Sequence, residues 1–182
     1  MPAEAMDKWL RRRNEWLALH GIIAKERESP DLGSLPPEHR KEYRQRFGEG
    51  FQSELDLGFG ACVLKDPENA SIVENSMRHF DGDRYRLGDF VIMPNHVHVL
   101  VVPEAGQDLG EILGSWKSYS AKEINRRIGG SGALWQRENF DHMIRSRKQL
   151  ESVRDYIRDN PAKAHLPEGT FRIGMVEWEF PD

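Results

Sequence analysis

The sequence predicts an α+β fold in which an antiparallel β-hairpin is packed with amphipathic helices. Three observations carry that reading. Residues 85–93 and 96–102 are two runs rich in β-forming residues, separated only by the tight-turn pair Pro94-Asn95, so they pair as a hairpin. Apolar residues recur at helical spacing on both sides of the hairpin. Glycine, proline and aspartate punctuate those stretches where helices start and stop.

Taken in order, residues 3–19 place Trp9, Leu10, Trp16, Leu17 and Leu19 near helical spacing around Arg11, Arg12 and Arg13, and the pattern ends at Gly21. A loop rich in proline, glycine and serine covers residues 29–37. A second helix then starts at Pro36-Pro37-Glu38 and runs through Phe47 toward Leu55. Composition changes at Gly58. The apolar run 60–64 reads as a strand, and Asp66-Pro67 opens a helix through Ile72, Val73 and Met77. After the hairpin, residues 109–128 form a long helix closed by Gly129-Gly130. A loop holding Trp135 leads to a last helix over 148–158, stopped by Asn160-Pro161. The tail, 170–180, alternates as a final strand. The chain thus divides into a helical segment over 1–56, a core over 57–166 and a tail over 167–182.

At 182 residues the chain has room for one core domain with an appendage. Charged residues make up 31% and apolar ones 38%, with five Trp and eight Phe, which excludes disorder throughout. The longest uncharged stretch, residues 90–103, falls short of the roughly 20 apolar residues a bilayer span needs, so no membrane partner is expected. Cys62 is the only cysteine, and the first residues lack the apolar core of a secretory signal, which points to a reducing, cytoplasmic setting. The net charge is −4, yet residues 112–165 carry eleven basic and six acidic side chains. That local excess fits a phosphate-binding face or ordinary solvated helix faces, and charge alone leaves the two open.

Two constellations carry chemistry. In His96-Val97-His98, strand periodicity sends both imidazoles to one face and Val97, Val99 and Val101 to the other. Two neighbouring imidazoles are half of a metal site, or else a polar face turned to water. Tyr156 and Asn160, four apart, share a helical face. The tyrosine hydroxyl is a competent covalent nucleophile and the asparagine oxygen a hard ligand for Mg²⁺ or Mn²⁺. Alone, the pair reads as a packing residue and a helix cap. Trp116 and Tyr119 sit near Ile112 at core-packing spacing, and Tyr119 is the rival nucleophile without a paired amide.

The blocks MPNHVHVLV at 93–101, LWQRENFDHMIR at 134–145 and YIRDNPAKAHL at 156–166 together resemble the signature blocks of the single-tyrosine HUH transposases, most closely the REP-associated tyrosine transposases. Weaker similarity covers residues 57–166. The resemblance implies a ferredoxin-like antiparallel sheet packed with helices, a divalent metal (Mg²⁺ or Mn²⁺) held by His96, His98 and Asn160, and Tyr156 as nucleophile. It implies that Trp135, Phe140 and His142 pack or hydrogen-bond beneath the site, and that Lys117, Lys122, Arg126, Arg145, Arg147 and Arg158 contact DNA. Family members begin with a strand that residues 1–4 do not supply. That gap is left to the tail around residues 171–178, a partner chain or an earlier start, unless the product is a degraded remnant. The implied activity is a single-stranded DNA endonuclease and transesterase that forms a 5′-phosphotyrosine at hairpin DNA, acting as a monomer or homodimer. Its rivals are an inactive or domesticated hairpin-binding protein and a metal-dependent hydrolase that uses water.

Overall fold

The computed structural model describes residues 3–23, 30, 32–49, 61–136, 139 and 141–176. The chain forms two compact units, residues 1–61 with 136–143 and residues 62–135 with 144–182. In the first, helix α1 (Ala3–Leu19) and helix α2 (Pro37–Tyr43) are followed by a wide helical turn over Arg44–Glu49. Trp16, Leu17, Leu35 and Phe47 form its core. Trp16 stacks on His20 at 3.8 Å between ring centroids and donates its indole N–H to Glu42 at 3.4 Å. The extension expected toward Leu55 lies outside the described residues.

The second unit is built on a three-stranded antiparallel sheet. Strand β1 (Tyr85–Ile92) is central, β2 (Val97–Pro103) pairs along one side, and a short tail strand β3 (Arg172–Gly174) pairs along the other. The hairpin turn closes with the Met93 N–H donating to His96 O at 2.8 Å. Helices α3 (Pro67–Arg78), α4 (Leu109–Ile128) and α5 (Arg147–Lys163) complete the unit, which is α+β as expected. The tail does add a strand to the sheet. It does so on β1, through Phe90 opposite Gly174 and Ile92 opposite Arg172, while β2 has β1 as its one strand partner among the described residues.

The sheet separates two apolar layers. On one face Tyr85, Leu87, Phe90 and Ile92 of β1, with Val97, Val99 and Val101 of β2, pack against Val73 and Met77 of α3 and Ile112, Trp116 and Ile124 of α4. On the other, Val91, Met93 and Leu100 pack against Leu150, Val153 and Ile157 of α5. Strict alternation would send Leu87 and Phe90 to opposite faces. A register shift between them restores both to the first layer and leaves Asp89 beside Arg154 of α5.

The helix ends follow side-chain chemistry. Asp66 caps α3 by accepting from the Glu68 N–H at 2.9 Å, Asp108 caps α4 by accepting from the Glu111 N–H at 2.9 Å, and Gly129 ends α4 at φ 65°. Two expectations are corrected. The apolar run before Asp66 is a 3₁₀ turn, Val63–Lys65, because Cys62 is left-handed at φ 45° and the helix opens immediately afterwards. Its link to the hairpin is one bond from the Leu64 N–H to Pro94 O at 3.0 Å, not a ladder. The last helix does not stop at Asn160-Pro161 but continues to Lys163. Pro161 is buried, and Ala164 and Leu166 pack into the α5 layer, which offsets the roughly 3 kcal/mol that an interior proline costs.

Candidate active site

Strand β2 and helix α5 meet at the candidate site. His96, 7% exposed, precedes β2, and His98 follows two residues on, so both rings lie on the α5 side while the odd-numbered valines line the opposite layer. Their Nε2 atoms are 3.0 Å apart. The His96 Nδ1–H donates to Asn95 Oδ1 at 2.8 Å, which leaves a lone pair on His96 Nε2, the nitrogen that faces His98. The His98 ring meets the Tyr156 ring edge to face, with centroids 5.1 Å apart. Helix α5 therefore brings its tyrosine onto His98, the outer member of the pair.

Asn160 lies one turn beyond Tyr156, is 2% exposed, and its Oδ1 has no hydrogen-bond partner. It is not a cap, because the helix runs on past it. An amide oxygen buried without a partner costs about 1–3 kcal/mol, a cost removed if it ligates a cation. Two imidazole nitrogens held about 2.1 Å from one ion at tetrahedral or octahedral angles stand about 3.0–3.4 Å apart, which matches the His pair. The donor set of two imidazoles and one amide oxygen therefore fits a divalent cation. Among the described residues no group of three His, Cys, Asp or Glu side chains gathers to hold a metal ion, at this site or another.

The other expected residues are scattered. Arg145, Arg147 and Arg158 are exposed along α5 or just before it. Asp155 at 2.5 Å and Asp159 at 3.3 Å hold Arg158, and these hydrogen bonds push its guanidinium pKa up. Lys117, Lys122 and Arg126 ride on α4, in the layer on the opposite side of the sheet from the histidines, and Arg126 pairs with Glu123. Trp116 is buried as expected, but Tyr119 is 54% exposed, so its spacing from Ile112 does not make it core. Three residues, about 60° of net rotation around the helix, separate the two: Trp116 faces β1, where it donates to the Tyr85 hydroxyl at 2.8 Å, and Tyr119 turns to solvent. Trp135 donates to Ser120 Oγ at 2.9 Å in the α4 layer, His142 belongs to the other unit, and Phe140 lies outside the described residues.

Three side chains went unnoticed in the sequence. Asp89, 1% exposed, accepts from Arg154 Nε at 2.6 Å and from the Val176 N–H at 2.8 Å, while Arg154 Nη2 donates to Val176 O at 2.8 Å. This node ties β1, α5 and the tail together. Lys163 holds its Nζ 5.5 Å from the centroid of the Tyr156 ring. Its signal was the spacing of seven from Tyr156, two helical turns, masked by the proline between them.

Residues 64–160 match the family described as transposase IS200 like, which is more than half of the chain. The chain belongs to the IS200-like transposase family. The matched segment holds the His pair, Tyr156 and Asn160, and ends there. Two curated relatives, both from Haemophilus influenzae, are similar to it. One, provisionally named a REP-associated tyrosine transposase, is 29% identical over 141 residues, 66% of this chain and 76% of the relative. The other, an uncharacterized protein, is 28% identical over 98 residues, 42% of this chain. The chain spans 54% of that relative's length. No solved structure matches.

Proposed function

We propose that the protein is a metal-dependent, single-strand-specific DNA endonuclease and transesterase that acts on hairpin DNA through a 5′-phosphotyrosine. The observation that supports this reading is the packing of the Tyr156 ring against His98, whose Nε2 lies 3.0 Å from that of His96, one helical turn from the unpartnered oxygen of buried Asn160. His96, His98 and Asn160 would hold Mg²⁺ or Mn²⁺, which supplies charge neutralisation for a phosphate diester. Residues 57–166 form the catalytic core in this reading, with 1–56 as a helical appendage and 167–182 as a tail.

The chain's own residues then do the following. The Tyr156 hydroxyl oxygen, giving up its proton, forms a bond to phosphorus. The bond from phosphorus to the 3′-oxygen breaks, and that oxygen leaves as a hydroxyl once protonated. The energy of the diester is kept in the tyrosine ester, so a second 3′-hydroxyl can reverse the step. Packing against His98 fixes the tyrosine ring, and the rigid strand fixes His98. Arg145, Arg147 and Arg158 hold phosphates on the α5 side, and Lys117, Lys122 and Arg126 on the α4 side.

The test is covalent capture. Single-stranded hairpin DNA labelled on the 3′ side of the cut, incubated with Mn²⁺, should give an adduct that survives denaturing electrophoresis. Tyr156→Phe should lose the adduct and still bind DNA, Tyr119→Phe should keep both, and His96→Ala or exhaustive chelation should abolish cleavage. Cutting by Tyr156→Phe would assign the reaction to water. A wild type that binds hairpins but never nicks them would be a binding protein.

A further inference from the structure

We infer that Lys163 is the DNA-phosphate contact at the nucleophile. The inference rests on the reading of Tyr156 as the attacking residue. Lys163 is two turns beyond Tyr156, and because α5 continues through Pro161 the two fall on nearly the same face. Helical side chains lean toward the N-terminus, so the lysine stem leads back toward Tyr156. Its Nζ is 5.5 Å from the ring centroid. Had the helix ended at Asn160, no such approach would follow from the spacing.

Charge pairing singles this cation out. Arg158, two residues beyond Tyr156, shares its guanidinium with Asp155 and Asp159. Arg154 is committed to Asp89 and Val176. Lys163 is exposed, and among the described residues its one contact of this kind is the Tyr156 ring. An ammonium on a flexible stem beside a phenol ring is placed to meet a phosphate oxygen that arrives at that phenol. There it offsets charge as the tyrosine oxygen bonds to phosphorus and the 3′-oxygen departs. A last-turn lysine also favours the helix dipole, and that role predicts altered stability alone.

The experiment uses the full chain carrying Tyr156→Phe, with Lys163→Gln, Lys163→Arg or Lys148→Gln added. Lys148 is an exposed lysine at the other end of the same helix. The probe is a fluorescein-labelled thymidine homopolymer, and affinity is followed against salt. Lys163→Gln should lower the salt slope by about 0.7, the increment of one phosphate contact on a single strand. Lys163→Arg should restore it and Lys148→Gln leave it unchanged. On the Tyr156 background, Lys163→Gln should slow adduct formation about 100-fold. An unchanged slope and adduct rate in Lys163→Gln overturns the inference while the nucleophile stands. A Tyr156→Phe protein that does not bind the probe overturns both.

Discussion

Replacing Arg154 with Met tests whether the node beneath α5 holds the site together. The substitution keeps an unbranched stem but deletes the Nε bond to Asp89 at 2.6 Å and the Nη2 bond to Val176 O at 2.8 Å. Asp89 is 1% exposed, so its carboxylate is left with the Val176 N–H at 2.8 Å as its remaining donor among the described residues and with no cation. Breaking a buried pair on one side costs about 3–5 kcal/mol, and the 29% exposure of the Arg154 side chain lets water enter, so about 3 kcal/mol is expected. Asp89→Asn removes the charge that needs compensation, and the freed guanidinium can turn toward solvent, so it should cost about 1–2 kcal/mol. The double variant should be more stable than the sum of the two losses, by roughly 1.5 kcal/mol or more. Native-state hydrogen exchange at the β1 amides reads the opening free energy of this unit directly. A loss below about 1 kcal/mol for Arg154→Met, or strict additivity in the double variant, would refute the argument that this ion pair fastens α5 to the sheet.

Two further outcomes follow from single contacts. A Cβ added at Gly174 would stand 2.3 Å from Phe90 Cε1 and 2.4 Å from Cζ, and Phe90 is fully buried, so Gly174→Ala should cost about 1–3 kcal/mol and free the β3 amides to exchange; Phe90→Leu should restore part of the loss. Asp66 has its carboxyl pKa held below the ordinary 3.8, first by the Glu68 N–H and also by Arg127, so its contribution is complete above that value and disappears as pH falls through the lowered one. The stability gap between wild type and Asp66→Asn should therefore stay constant from about pH 5 to 7 and close in stronger acid, as read by urea titration; a gap that persists there would remove Asp66 as the titrating cap.

Much of the site was legible because each half obeys a single local period. The alternation of β2 puts His96 and His98 together, and the helical period puts Tyr156 and Asn160 together, with no knowledge of the fold. The end of α4 was equally plain, since Gly129-Gly130 is a local stop signal. Pro161 misled because the rule for proline is also local, and it was outweighed by burial of Asn160, Pro161 and the residues just after them. Tyr119 misled because spacing from Ile112 identifies a neighbouring stripe, while the direction in which the neighbouring layer lies decides exposure.

What no local period contains is how the two halves meet. His98 and Tyr156 are brought ring to ring by contacts between residues far apart in sequence: Val91 and Leu100 against Leu150 and Ile157, and Asp89 against Arg154. Asp89 reaches α5 because the strand register shifts between Leu87 and Phe90, and the one local sign of it, Gly88 inside a β-rich run, does not say which side chain the bulge re-aims. The same dependence on distant packing explains Asn160. Burying an amide oxygen without a partner is unfavourable wherever it occurs, so the sequence pattern alone favours a solvated cap at that position. The packed layer around α5 supplies the burial that overrides the preference, and it is this override that leaves the Asn160 oxygen buried without a partner and carries the helix far enough to return Lys163 to Tyr156.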